Sequence, residues 1–116
     1  MKFKMIMAIV DEDRTRALLK AARAAGATGS TVISSVRGEG SRRSFGILGL
    51  EISEVRDVLL FVVEEHRAKH ILETLAEIGE FDETSGTGIA VQLDVEDALG
   101  VRHQMQTLID EVKENI

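Results

Sequence analysis

One pattern in the chain repeats, and that repeat constrains the fold more than any other feature. Val10-Asp11-Glu12-Asp13-Arg14 opens a stretch that ends at Gly26 and carries Leu18, Leu19, Ala22 and Ala25. Val63-Glu64-Glu65-His66-Arg67 opens another that ends at Gly79, with Ile71, Leu72, Leu75 and Ile78 at the same offsets. Apolar residues three and four apart predict an amphipathic helix in each stretch. Asp11 reads as the N-cap of the first, Gly26 as its C′ residue, and Gly79 as the residue past the end of the second. A strand is expected on either side of each helix. Phe3, Met5, Met7 and Ile9 alternate along 3–10, and 30–37 is rich in β-branched residues before Gly38-Glu39-Gly40 breaks it. The short apolar run 57–63 reads, at that length, as a buried strand rather than a helix, and 89–95 reads as the last strand.

Strand–helix–strand twice in 116 residues predicts an α+β fold, a ferredoxin-like βαββαβ sandwich with both helices on one sheet face. The core is expected over 2–100. Beyond it, Met105, Leu108, Ile109, Val112 and Ile116 predict an added amphipathic C-terminal helix over 101–116. The first and third strands are apolar on both faces, so the uncovered face also needs burial, which predicts self-association through the sheets.

Composition removes several functional classes. With no Cys there is no disulfide, thiol nucleophile or Cys-ligated metal, and with four Phe but no Trp or Tyr the composition argues against a site that stacks sugars or unpaired bases. A net charge of −6 opposes general binding to a phosphate backbone, so no nucleic-acid partner is expected. The longest uncharged run, 24–36, is too short and too rich in Gly, Ser and Thr to span a bilayer. Asp110, Glu111 and Glu114 would be repelled by anionic lipid, so the terminal helix is not expected to insert either. A cytoplasmic domain is the resulting expectation.

No catalytic constellation stands out: Ser44 lacks a nucleophile elbow, and no carboxylate pair separates into acid and base. His66 and His70, four apart on a predicted helix, read either as exposed polar residues or as a metal-chelating pair. Arg37-Gly38-Glu39-Gly40 and Ser85-Gly86-Thr87-Gly88 read either as ordinary turns or as backbone nests that admit an anion. Between them the long segment 41–54, with Arg42, Arg43, Ser44, Phe45 and Leu48, either docks on a partner or packs back on the sheet.

The order of these pieces resembles the PII signal-transduction family. Gly26-Ala27-Thr28-Gly29-Ser30-Thr31-Val32, leading to Val36-Arg37-Gly38-Glu39-Gly40, is similar to that family's second strand and the opening of its T-loop. Glu83-Thr84-Ser85-Gly86-Thr87-Gly88 is similar to its B-loop, and the likeness covers roughly 2–102. The resemblance implies a non-enzymatic homotrimer with an adenine nucleotide (AMP, ADP or ATP) in clefts between subunits and no other cofactor. It also implies a T-loop that docks on a target protein such as an enzyme or membrane transporter. By the same resemblance, Thr31, Gly38 and Gly40 lie on the adenine and T-loop side, and Gly86, Thr87, Gly88 and Arg102 face phosphate. Arg42, Arg43, Ser44, Phe45 and Leu48 fall in the docking loop.

The chain departs from the family pattern at telling places. Ile89 and Gly100 stand where the family has phosphate-facing cations, Leu60 replaces an acid, and Ser41-Arg42 replaces Arg-Gln. Each missing cation removes a charge-assisted hydrogen bond worth about 1.5–3 kcal/mol. AMP or ADP is therefore expected to bind at least as tightly as ATP, and Gly88→Val is expected to abolish binding by blocking approach to the backbone. Without Tyr, the loop has no site for tyrosine uridylylation. The alternative is a trimeric divalent-metal binder like the CutA family, with His66, His70 and His103 as ligands.

Overall fold

The computed structural model describes residues 2–36, 55–84 and 86–100. Along the chain come β1 (Phe3–Asp11), a 3-10 turn (Glu12–Arg14), α1 (Thr15–Ala24) and β2 (Thr31–Val36). β3 (Arg56–Glu64), α2 (Glu65–Gly79) and β4 (Gly88–Asp94) follow. Gly38, Gly40, Arg42, Arg43, Ser44, Phe45, Leu48, Arg102, His103 and the expected helix over 101–116 lie outside the described residues.

The strands form one antiparallel sheet in the order β2-β3-β1-β4, the ferredoxin-like arrangement expected. The two central strands are those whose sequences are apolar on both faces. One face, with Ile6, Ala8 and Val10 of β1 and Leu59, Phe61 and Val63 of β3, packs on Leu18 and Ala22 of α1 and Ala68, Ile71 and Leu75 of α2. Most of these side chains are fully buried, and the larger ones, such as Ile6, Leu59 and Phe61, contribute roughly 1.5–3 kcal/mol each when removed from water. Side chains also tie the two helical segments together. Arg14 donates to the Gly79 carbonyl at 3.1 Å, and Arg67 reaches the Gly26 carbonyl at 3.5 Å. Arg67 also pairs with the buried Glu64 carboxylate at 3.2 Å.

The register of β1 with both neighbours defines the other face. Met5 stands between Val62 and Leu93, Met7 between Leu60 and Val91, and Ile9 between Val58 and Ile89. The rows continue onto β2, where Thr31 lies opposite Leu60 and Ile33 opposite Val58. Ile33 is 48% and Leu93 41% exposed. None of the described helices contributes to this face.

Two local expectations change. Asp11 does not cap a helix with its side chain: it ends β1, the chain passes through the 3-10 turn, and its carboxylate pairs with Arg56 at 2.9 Å. Gly79 is the last residue of α2, and the left-handed position past the end belongs to Glu80, at φ 55 and ψ 40. A glycine usually takes that position; here the glycine is needed one residue earlier, where a Cβ would stand 2.2 Å from the Phe81 ring. The first helix does end as expected, with Gly26 at φ +117.

At one end of the β1–β4 ladder, Lys4 hydrogen-bonds Asp94. That bond and the attendant charge attraction hold the Lys4 ammonium above the ordinary lysine range and the Asp94 carboxyl below the ordinary aspartate range.

Candidate functional site

The turn between α2 and β4 carries Gly86, Thr87 and Gly88, and hydrogen bonds within it set part of its shape. The Thr84 N–H donates to the Glu80 carbonyl at 3.0 Å and the Thr87 N–H to the Thr84 carbonyl at 3.4 Å. The Thr87 hydroxyl faces inward, 3.0 Å from both the Glu80 and Thr84 carbonyl oxygens. Thr87 is only 6% exposed, so this hydroxyl braces the turn and does not project toward a ligand.

The two glycines serve different ends. Gly86 has φ +78, and a Cβ there would meet nothing within 4 Å, so its backbone is left-handed and approachable. Gly88 is a packing glycine. Its Cβ would lie 2.5 Å from the Phe81 ring and 3.0 Å from the Ile9 carbonyl oxygen. Gly88→Val would therefore disturb the fold before any ligand was met, and Gly86 is the glycine at which the open approach lies.

Arg56 reaches this turn from the start of β3. Its side chain is 4% exposed and bonds Asp11 of β1 at 2.9 Å. The same Nη1 donates to the Gly86 carbonyl at 2.8 Å. Its Nε is buried with no hydrogen-bond partner. The next residue, Asp57, points to the opposite face. One of its oxygens accepts the Thr15 hydroxyl at 2.6 Å and the other the Ser35 N–H at 3.3 Å. Ser35, at φ +61, lies where the β2–β3 register shifts between Ile33 and Val36. Sequence reasoning missed Arg56, Asp57 and Phe81. The available signal was two adjacent opposite charges heading an apolar run, a place where charge must find a partner before burial.

The remaining anticipated residues are dispersed. Thr31 is exposed on β2, at one edge of the sheet, whereas the Gly86 turn leads into β4 at the other. Three strand spacings separate those edges, about 14 Å. Ile89 lies opposite Ile9 in the apolar open face, which accounts for an aliphatic side chain at that position. Gly100 has φ +92 with open space around it. His66 and His70 are both exposed on α2, and His66 Nε2 lies 3.2 Å from the Glu64 carboxylate. Among the described residues no three His, Asp or Glu side chains converge as a metal site, and no described helix is long and apolar enough to cross a membrane.

A ferredoxin-like sheet with two helices on one face and a braced glycine turn before β4 defines a class of small α+β domain. The chain belongs to the nitrogen regulatory protein P-II family, whose model matches residues 3–105. No curated protein matches it. Among solved structures it is similar to a PII-like signalling protein from Thermus thermophilus, with 28% identity and a TM-score of 0.60 over 81% of this chain and 87% of that one. It is also similar to CPII from Thiomonas intermedia, at 16% identity in two states. The form bound to ADP, AMP and acetate gives a TM-score of 0.64 over 86% of this chain and 92% of that one. The apo form, described as a nitrogen regulatory PII-like protein, gives 0.62 over 82% and 90%.

Proposed function

We propose that the chain is a cytoplasmic, homotrimeric PII-like regulator, not an enzyme, that binds an adenine nucleotide between subunits. It then acts on a target protein, an enzyme or membrane transporter, through the segment 38–54. The observation that carries this reading is the division of the nucleotide-side residues between opposite edges of a sheet with an apolar open face. Thr31 and the Gly86 turn of one chain stand about 14 Å apart across the strands. In this proposal a second copy laid on the open face brings its own β2 edge toward that turn. Association and ligand binding then depend on the same surface.

The turn offers backbone groups at Gly86, while Asp82 and Glu83 are exposed acids on the same turn. The cation bonded to the turn, Arg56, is already paired with Asp11. Such a field suits one or two phosphates better than three. CPII, with the same fold, holds ADP and AMP. Gly38, Gly40 and Arg102 complete the nucleotide side in this proposal. Arg42, Arg43, Ser44, Phe45 and Leu48 form the docking side.

Calorimetric titration with AMP, ADP, ATP and divalent copper, alongside light scattering, tests the reading. The expected outcome is a particle of three chains that binds AMP or ADP at least as tightly as ATP. Copper binding without nucleotide binding would overturn it in favour of metal capture by His66, His70 and His103. A stable monomer would overturn the intersubunit site.

A further inference from the structure

We infer that Arg56 is the positioning residue of the Gly86 turn: it holds the loop in its ligand-ready shape from beneath without itself being the ligand's anchor. Three observations meet here. The guanidinium is buried, it is fixed at the end of the sheet by Asp11, and its Nη1 takes the Gly86 carbonyl. A trans peptide points its carbonyl and the following N–H in opposite directions, so fixing the Gly86 oxygen also fixes the Thr87 N–H. That N–H has only a long bond of 3.4 Å to Thr84, and Gly86 itself has open space where a side chain would brace it. Without Arg56, the left-handed Gly86 peptide would be restrained from the Thr87 side alone, by that long N–H bond and the Thr87 hydroxyl, and would sample other orientations that a ligand would have to order on binding.

This inference takes the turn's anion-binding role from the proposed function, so its test includes a measurement that needs no ligand. Arg56→Met removes the donors and keeps a long side chain. It should still fold, because it also removes the unpaired buried Nε and leaves Asp11 at a position 36% exposed to water. Arg56→Lys restores one cation. Amide exchange of ligand-free protein is read at Thr87 against Leu59 and Phe61 in the centre of β3. In Arg56→Met, exchange at Thr87 should rise about tenfold with the two core amides unchanged, and Lys should recover part of the protection. ADP affinity should fall about tenfold in Arg56→Met. Unchanged exchange at Thr87 would overturn the inference. So would equal acceleration at Thr87, Leu59 and Phe61, which marks a general loss of stability. If the wild-type protein binds no adenine nucleotide, the ligand reading fails, and the exchange comparison still decides the role of Arg56.

Discussion

Phe81 organises both glycines that flank its turn. A Cβ at Gly79 would fall 2.2 Å from its ring and one at Gly88 2.5 Å from it, so the ring occupies the volume that two side chains would otherwise fill. Gly88→Ala must move the ring, and overpacking of this kind costs about 1–3 kcal/mol. The expected result is a loss of that size in chemical denaturation. In a Phe81→Ala background the cost of Gly88→Ala should fall by more than half, the remainder coming from the Ile9 carbonyl oxygen 3.0 Å away. An undiminished cost in the double variant would place the strain elsewhere. The spacing of Gly86 and Gly88 was legible in the sequence as a pattern, but the division of labour between them was not. Nothing in a glycine's identity says whether its missing side chain makes room for a ligand or for a phenyl ring.

At the scale of elements, periodicity located both helices and all four strands, and only their ends moved. The ends moved where side chains found partners in the fold. Asp11 gave up the helix cap for Arg56, and Glu80 took the left-handed position because Gly79 was needed against Phe81. Arg56 lies on another strand, and the Phe81 ring sits where β4 begins, so neither choice is encoded in local spacing. The bulge in β2 is the same kind of feature. Ser35 holds φ +61, and Asp57, on the neighbouring strand, accepts its N–H while also accepting the Thr15 hydroxyl at the start of α1. One carboxylate thus joins an edge strand, a central strand and a helix. Asp57→Ala should lower stability by about 2–4 kcal/mol, since it removes hydrogen bonds to a charged acceptor and leaves a donor unpaired. Amide exchange at Ser35 and Val36 should rise more than at Leu59. Equal stability of wild type and variant would show that the bulge is held by other means.

At the scale of the whole molecule, the sheet face that no described helix covers is the largest unfinished feature among the described residues. Its rows run without a charged residue from Val91 through Met7 and Leu60 to Thr31, and from Ile89 through Ile9 and Val58 to Ile33. The sequence already implied a partner there, because both central strands are apolar on both faces. Leu60 is the informative residue. It lies near the middle of the face, half-buried in the isolated chain, with the uncharged Met7 and Thr31 as its register neighbours. With no cation anywhere in its row, a carboxylate there would stay partly hydrated in a monomer but would lose water without gaining a partner from its own chain when a second apolar face closed over it. Leu60→Asp should therefore leave the far-ultraviolet circular dichroism of the chain largely intact while shifting light-scattering mass from the assembled to the dissociated form. In the proposed assembly nucleotide affinity should fall with it, because the Gly86 turn and the β2 edge of a neighbour would no longer meet. An assembled Leu60→Asp protein would mean that the face is not the contact. A dissociated one with undiminished AMP and ADP affinity would place the ligand within a single chain.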